Sequence, residues 1–166
     1  MKTIQMNVGQ ANLIDEFFSE VTAASSQLRE LVLVSPFVQL SGKRSKAGKR
    51  LCTLLSCVNV SGGAAVLISD DTPARRKDFQ RALQTYPDLA GTLFVRKDLH
   101  AKCGLATNKM GNQVGFMGSA NLTDSGLNRN AEIVLGIKGN AHEGLGWHVA
   151  GQLRLMIDHI RSHAFQ

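Results

Sequence analysis

Apolar positions along the chain change period several times, and each change marks an element. Leu13, Ile14, Phe17, Phe18 and Val21 recur at helical spacing and predict an amphipathic helix within residues 8–29. Residues 30–38, ELVLVSPFV, form a nearly continuous apolar run stopped near Pro36, the pattern of a strand buried on both faces. Residues 41–50, SGKRSKAGKR, read as a basic loop, residues 51–60 as a short helix, residues 61–63 as a turn and residues 64–69 as a second buried strand. A helix over residues 79–85 ends ahead of Pro87. Beyond Gly91 the spacing predicts strands at residues 93–95, 99–106, 113–117 and 131–137, with TNKMGN, residues 107–112, as a hairpin turn. Leu145, Val149, Leu153, Met156, Ile157 and Ile160 then mark a closing amphipathic helix over residues 145–162. Alternating helices and strands, a strand-rich block and a last helix together imply an α/β fold, a mixed β-sheet flanked by α-helices on both faces.

Composition narrows this picture. The chain has 166 residues and a mass of 18.0 kDa, so residues 1–166 are expected to form a single domain. With 43% hydrophobic and 19% charged residues it falls outside the disordered and fibrous classes. No stretch approaches the roughly 20 apolar residues of a membrane span, and the first residues lack a signal-peptide core. A cytoplasmic protein without integral membrane association is expected. Cys52, Cys57 and Cys103 sit in apolar segments, as buried reduced thiols do, and their spacing does not match a zinc finger. His142, His148, His159 and His163 show no metal-site spacing and read as surface or helix-face residues; Trp147 reads as packing.

The charge is less ordinary. Nineteen Lys and Arg against thirteen Asp and Glu leave +6 and a pI near 9.6, which points to a polyanionic partner. Lys43, Arg44, Lys46, Lys49 and Arg50 supply five of these positive charges within ten residues and are candidates for gripping phosphate. Their segment is not an ATP-binding Walker loop: five residues rather than four separate Gly42 from Gly48, and Arg50 stands where a Ser or Thr would hold Mg²⁺. Arg75, Arg76 and Lys77 read as a charged helix start. Only nine residues are aromatic, so gripping phosphate is favoured over stacking on bases.

Candidate chemistry gathers in the strand-rich block. His100 and Lys102 are two apart, so in an extended strand they share one face while Ala101 and Cys103 take the other. Ser119 and Asn121 repeat the spacing in GSANLT after a glycine that permits a bend. A hairpin at residues 107–112 brings the four together at one sheet end. There an imidazole, an ammonium, a hydroxyl and a carboxamide supply a nucleophile or proton carrier and groups that hold phosphate oxygens. Glu132, in NAEIVLG, is placed to accept a hydrogen bond from His100 and fix its tautomer.

LHAKCGLA, then GSANLTDSGL, then NAE resembles the signature of the phospholipase D superfamily, the HKD family, and especially its small bacterial endonuclease members. The resemblance implies a phospholipase D-like fold in which His100 is the nucleophile, Lys102 and Asn121 bind phosphate, Ser119 supports the site and Glu132 orients His100. The family's motif has an Asp where this chain has Thr107, at the far end of the strand, a position more structural than chemical. The family's chemistry also uses two histidines, one forming a phosphohistidine and the other protonating the leaving oxygen. A chain with one motif is therefore expected to form a homodimer with the site at its two-fold interface. Paired lysines and asparagines then supply the charge stabilisation, and no cofactor or divalent metal is expected. The implied function is a metal-independent phosphodiesterase cleaving nucleic acid, DNA sooner than RNA. The alternatives are a lipid phosphodiesterase and a non-catalytic DNA-binding or regulatory homologue.

Overall fold

The structure is a computed structural model and describes residues 4–9, 12–41, 45–128, 132–139 and 144–166. Lys43 and Arg44, the Asn130 of the NAE motif, His142 and the side chain of Trp147 lie outside the described residues.

Among the described residues seven strands form one mixed sheet: β1 (Ile4–Gly9), β2 (Leu28–Val34), β3 (Ala64–Asp70), β4 (Leu93–Arg96), β5 (Cys103–Asn108), β6 (Gln113–Gly118) and β7 (Glu132–Gly139), in the spatial order β1-β7-β6-β5-β2-β3-β4. The neighbours β2, β3 and β4 run parallel, while β5, β6, β7 and β1 follow as antiparallel pairs. The helices are α1 (Asn12–Ala23), α2 (Lys46–Val60), α3 (Pro73–Thr85), α4 (Asp124–Asn128) and α5 (Gly144–Ser162).

Strand periodicity divides the core in two. On β2, Leu31 and Leu33 join Phe17, Phe18, Leu51, Leu55 and Phe79 of α1, α2 and α3, whereas Val32 and Val34 join Ala150, Leu153, Ile157 and Ile160 of α5. A strand with helices on both faces has no solvent side, which is why residues 31–34 are all apolar. The α/β fold with a mixed sheet flanked on both faces is thus observed.

Several boundaries differ from the sequence reading. Residues 8 and 9 belong to β1, an edge strand paired with β7, and the first helix begins only at Asn12. Helix α2 starts at Lys46, five residues earlier than expected, because Ser45 caps it by accepting a hydrogen bond from the Gly48 N–H at 3.0 Å. Helix α3 likewise starts at Pro73, with Thr72 as its cap and proline in the first turn. Of the basic segment, Lys46, Lys49 and Arg50 therefore ride on α2.

Candidate active site

The C-terminal ends of β2, β3 and β6 and the N-terminal ends of β5 and β7 meet on one side of the sheet. His100 and Lys102 lie there, although they precede β5 and are not part of it. The expected alternation still holds. Leu99, Ala101 and Cys103 all pack in the α5-side cluster, leaving His100 and Lys102 with the opposite parity. The pairing also runs one step past the strand, because the Gly118 N–H donates to the Lys102 carbonyl at 3.1 Å.

Two groups hold this approach segment. Asp98 adopts a left-handed backbone with φ of 57° in the turn before it, a conformation that Asn and Asp tolerate better than most residues. Asp70, at the end of β3, accepts a hydrogen bond from the Leu99 N–H at 3.3 Å. His100 is exposed, and among the described residues its ring makes no hydrogen bond; the Lys102 Nζ donates to the His100 carbonyl at 3.2 Å.

GSANLT follows β6. Gly118 is required there because of close approach rather than a bend: a Cβ at this position would lie 2.2 Å from the Ile133 carbonyl oxygen. Gly126 packs as tightly on the Asn121 backbone, where a Cβ would meet its carbonyl oxygen at 2.3 Å. Both contacts involve backbone, which cannot rotate away, so both glycines are steric requirements.

Ser119 both donates and accepts at the start of β7. Its Oγ donates to Glu132 Oε2 and accepts from the Ile133 N–H at 3.0 Å, clasping the start of β7 to the end of β6. Glu132 is buried, and the hydrogen bond expected from His100 is absent among the described residues: Ser119 takes its place as the partner of the carboxylate. Among the described residues, the Oδ1 of Asn121 is buried with no hydrogen-bond partner. A buried acceptor left without a donor costs about 1–3 kcal/mol.

The basic helix start is linked to this loop. The Ala47 N–H donates to Asp124 Oδ1 at 2.8 Å, tying the first turn of α2 to the loop that carries Asn121. Lys46 and Lys49 are exposed and form no ion pair with a described residue. Arg50 behaves otherwise than its neighbours: its guanidinium pairs with Asp15, donates to the Asp15 carbonyl at 3.1 Å and lies 5.2 Å from the Phe18 ring centroid. It thereby fastens α2 to α1. Within Arg75, Arg76 and Lys77, Arg76 forms a two-pronged pair with Asp71 at 2.6 and 3.0 Å, which holds the Asp71 carboxyl below its usual range.

Thr107, where the family motif has an Asp, sits at the other end of β5 with 1% exposure. Its cross-strand partner on β2 is Glu30, and Arg154 of α5 donates to Glu30 Oε2 at 2.6 Å and to Thr107 Oγ1 at 3.1 Å. Arg161 adds a bond to Glu30 Oε1 at 2.8 Å. The carboxylate absent from residue 107 is present one strand away.

Among the described residues there is no group of three or more His, Cys, Asp or Glu placed to hold a metal, and no helix long and apolar enough to cross a membrane. His159 and His163 are exposed on the last turn of α5 and beyond it.

A sheet with this mix of parallel and antiparallel strands between helices is a phospholipase D-like fold. It superposes on NucT from Helicobacter pylori with a TM-score of 0.61 at 12% identity, covering 97% of this chain and 96% of that one. The match to Nuc from Salmonella typhimurium, a phospholipase D family member, has a TM-score of 0.60 at 13% identity, with 98% and 96% covered. TrmBL2, an archaeal chromatin protein, matches with a TM-score of 0.58 at 10% identity over 99% of this chain and 54% of its own. No family model and no curated protein matches the sequence.

Residues that the sequence reading missed are Asp70 and Asp124, which hold the site's segments, and the Glu30–Arg154 pair at the far end of β5. Their partners lie 29 to 124 positions away in sequence, beyond the reach of any local pattern.

Proposed function

We propose that the chain is a phosphodiesterase acting on nucleic acid, working as a homodimer without a divalent metal. The observation that carries this reading is the convergence of His100, Lys102, Ser119, Asn121 and Glu132, from three separate segments, at one sheet end. His100 attacks phosphorus through a ring nitrogen, forming a P–N bond as a P–O bond breaks. The leaving oxygen takes a proton from the His100 of a second subunit. That same ring then removes a proton from water, whose oxygen attacks phosphorus and releases the first His100. Lys102 and the amide of Asn121 hold the non-bridging oxygens where negative charge builds. Glu132, gripped at one oxygen by Ser119, fastens the start of β7 to the end of β6 beside the site. Lys46 and Lys49, with Lys43 and Arg44, bind flanking phosphates by displacing counterions, so affinity falls steeply with salt. DNA is favoured over RNA as the substrate.

The test is incubation with single- and double-stranded DNA and RNA in EDTA, with His100→Ala as control and sedimentation to measure subunit number. Cleavage by the wild type alone, with a phosphohistidine trapped by acid quench, supports the reading. Full activity of His100→Ala, or loss in EDTA restored by Mg²⁺, overturns the mechanism. Hydrolysis of phospholipid vesicles in preference to nucleic acid would make it a lipid enzyme. DNA retardation without nicking would make it a binding module.

A further inference from the structure

Phe37 follows Pro36 at the end of β2, on the same side of the sheet as His100 and Asn121. It is 55% exposed; Phe165, the other exposed phenylalanine among the described residues, has Arg76 over its ring at 5.4 Å. An exposed ring on a loose loop would mean little. This one is held by a buried polar clamp. The hydroxyl of Ser35, a residue with 0% exposure, donates to the Phe37 carbonyl at 2.8 Å and accepts from the Leu122 N–H at 3.2 Å. The Ser69 hydroxyl, equally buried, donates to the Pro36 carbonyl at 3.1 Å.

Register places the ring. Val38 pairs with Leu122 in a parallel bridge, continued by the Gln39 N–H donating to the Leu122 carbonyl at 3.3 Å. Val38 and Leu122 both have 0% exposure and turn into the core. The bridge makes the residues just before them, Phe37 and Asn121, backbone neighbours, with Phe37 in a bend. The fold thus sets a solvent-facing phenyl ring, on a backbone held by Ser35 and Ser69, in the segment adjoining the residue assigned above to phosphate.

We infer that Phe37 is a stacking platform for the nucleobase flanking the scissile phosphate, and that it makes single-stranded nucleic acid the preferred substrate. In a nucleotide the flat base is tethered a few bonds from its phosphate, so a ring beside the phosphate-holding amide meets a base. Any base offers a π-face, which makes the contact tolerant of sequence. Bases in a duplex are already stacked on one another and must be unstacked before they can use it. The scarcity of aromatic residues argues against stacking along a long channel but leaves room for one well-placed ring. This inference rests on the nucleic-acid reading and deepens it.

The experiment compares wild type, Phe37→Ala, Phe37→Leu and Phe37→Trp on a single-stranded oligonucleotide, on its duplex, and on a strand carrying one abasic position beside the cleaved bond. Melting temperatures first establish that each variant is folded. Phe37→Ala and Phe37→Leu are expected to lose roughly 5- to 100-fold in kcat/KM on the intact single strand, mainly through KM, while Phe37→Trp keeps it. On the abasic strand wild type and Phe37→Ala should be equal. Unchanged kcat/KM in Phe37→Ala, wild-type behaviour of Phe37→Leu, or an equal loss on the abasic strand overturns the inference. Dissociation of the dimer in Phe37→Ala by sedimentation also overturns it, since the ring would then be a subunit contact. If wild type cleaves and Phe37 makes no difference, this inference alone falls; if wild type neither binds nor cleaves nucleic acid, the reading beneath it falls too.

Discussion

The two ends of β5 hold polar groups on opposite terms. At the far end, Thr107 and Glu30 are gripped by Arg154 and Arg161, and each polar group answers another within the fold. At the near end, among the described residues, His100 stands exposed with no ring partner and the buried Oδ1 of Asn121 has none. Both regions lie on one sheet, one strand length apart. A closed polar network contributes stability and specifies packing, whereas polar groups left open at the mouth of a fold are available to a ligand. Thr107 stands where the family motif has an Asp without leaving Arg154 unpaired, because Glu30 reaches the same guanidinium.

Breaking the open end should cost activity and spare the fold. His100→Ala is expected to lower cleavage by at least about 10³-fold, with a melting temperature that does not move. Asn121→Ala should cost about 10²- to 10³-fold in kcat, as the loss of one preorganised donor does elsewhere, read from steady-state rates on an oligonucleotide. A stability loss large enough to explain either defect would erase the distinction between the two ends.

Breaking the closed end should do the reverse. Glu30→Ala strands two arginines in a half-buried site and is expected to destabilise by up to about 3 kcal/mol, seen in urea unfolding, with kcat unchanged at low temperature. The double exchange Glu30→Thr with Thr107→Asp moves the carboxylate to the residue where the family carries it and should recover much of that loss. Failure of the double variant to exceed Glu30→Ala in stability would show that the two positions are not equivalent around Arg154.

At neutral pH two buried thiols have no effect, and theirs appears only in alkali. Burial pushes the Cys103 thiol up to about 12 and, with nearby carboxylates adding to it, the Cys52 thiol up to about 11. The unfolded chain releases these protons near pH 9 while the folded one keeps them. Stability is therefore full below that pH and falls as pH rises toward 11 and 12, which alkaline unfolding curves can follow. At pH 8 the native protein should react with a thiol reagent at Cys57 alone, since Cys52 and Cys103 are buried, and at all three cysteines once unfolded.

Much of this was legible along the chain, for reasons that differ from element to element. Residues 31–34 announce a two-sided strand because four apolar positions in a row leave no solvent face. The parity of residues 99–103 was readable because extended backbone alternates whether or not it pairs, and this survives even where β5 has not begun. Strand β1 was not readable. Its residues, IQMNVG, carry no decisive period, and they are a strand because β7 pairs with them. The early starts of α2 and α3 were visible in Ser45 and in Thr72-Pro73, yet the basic content of residues 41–50 masked the first cap.

By itself, the order of residues determined which side chains exist to do chemistry and, through local period, which of them share a face. Only the tertiary structure decided their partners. It gave Glu132 to Ser119, Arg50 to Asp15, Asp70 to the backbone beside His100 and Phe37 to the flank of Asn121. Period is a property of neighbouring backbone dihedrals and can be read locally. A hydrogen bond between positions tens of residues apart depends on how the sheet brings strand ends together, and no short stretch of sequence contains that.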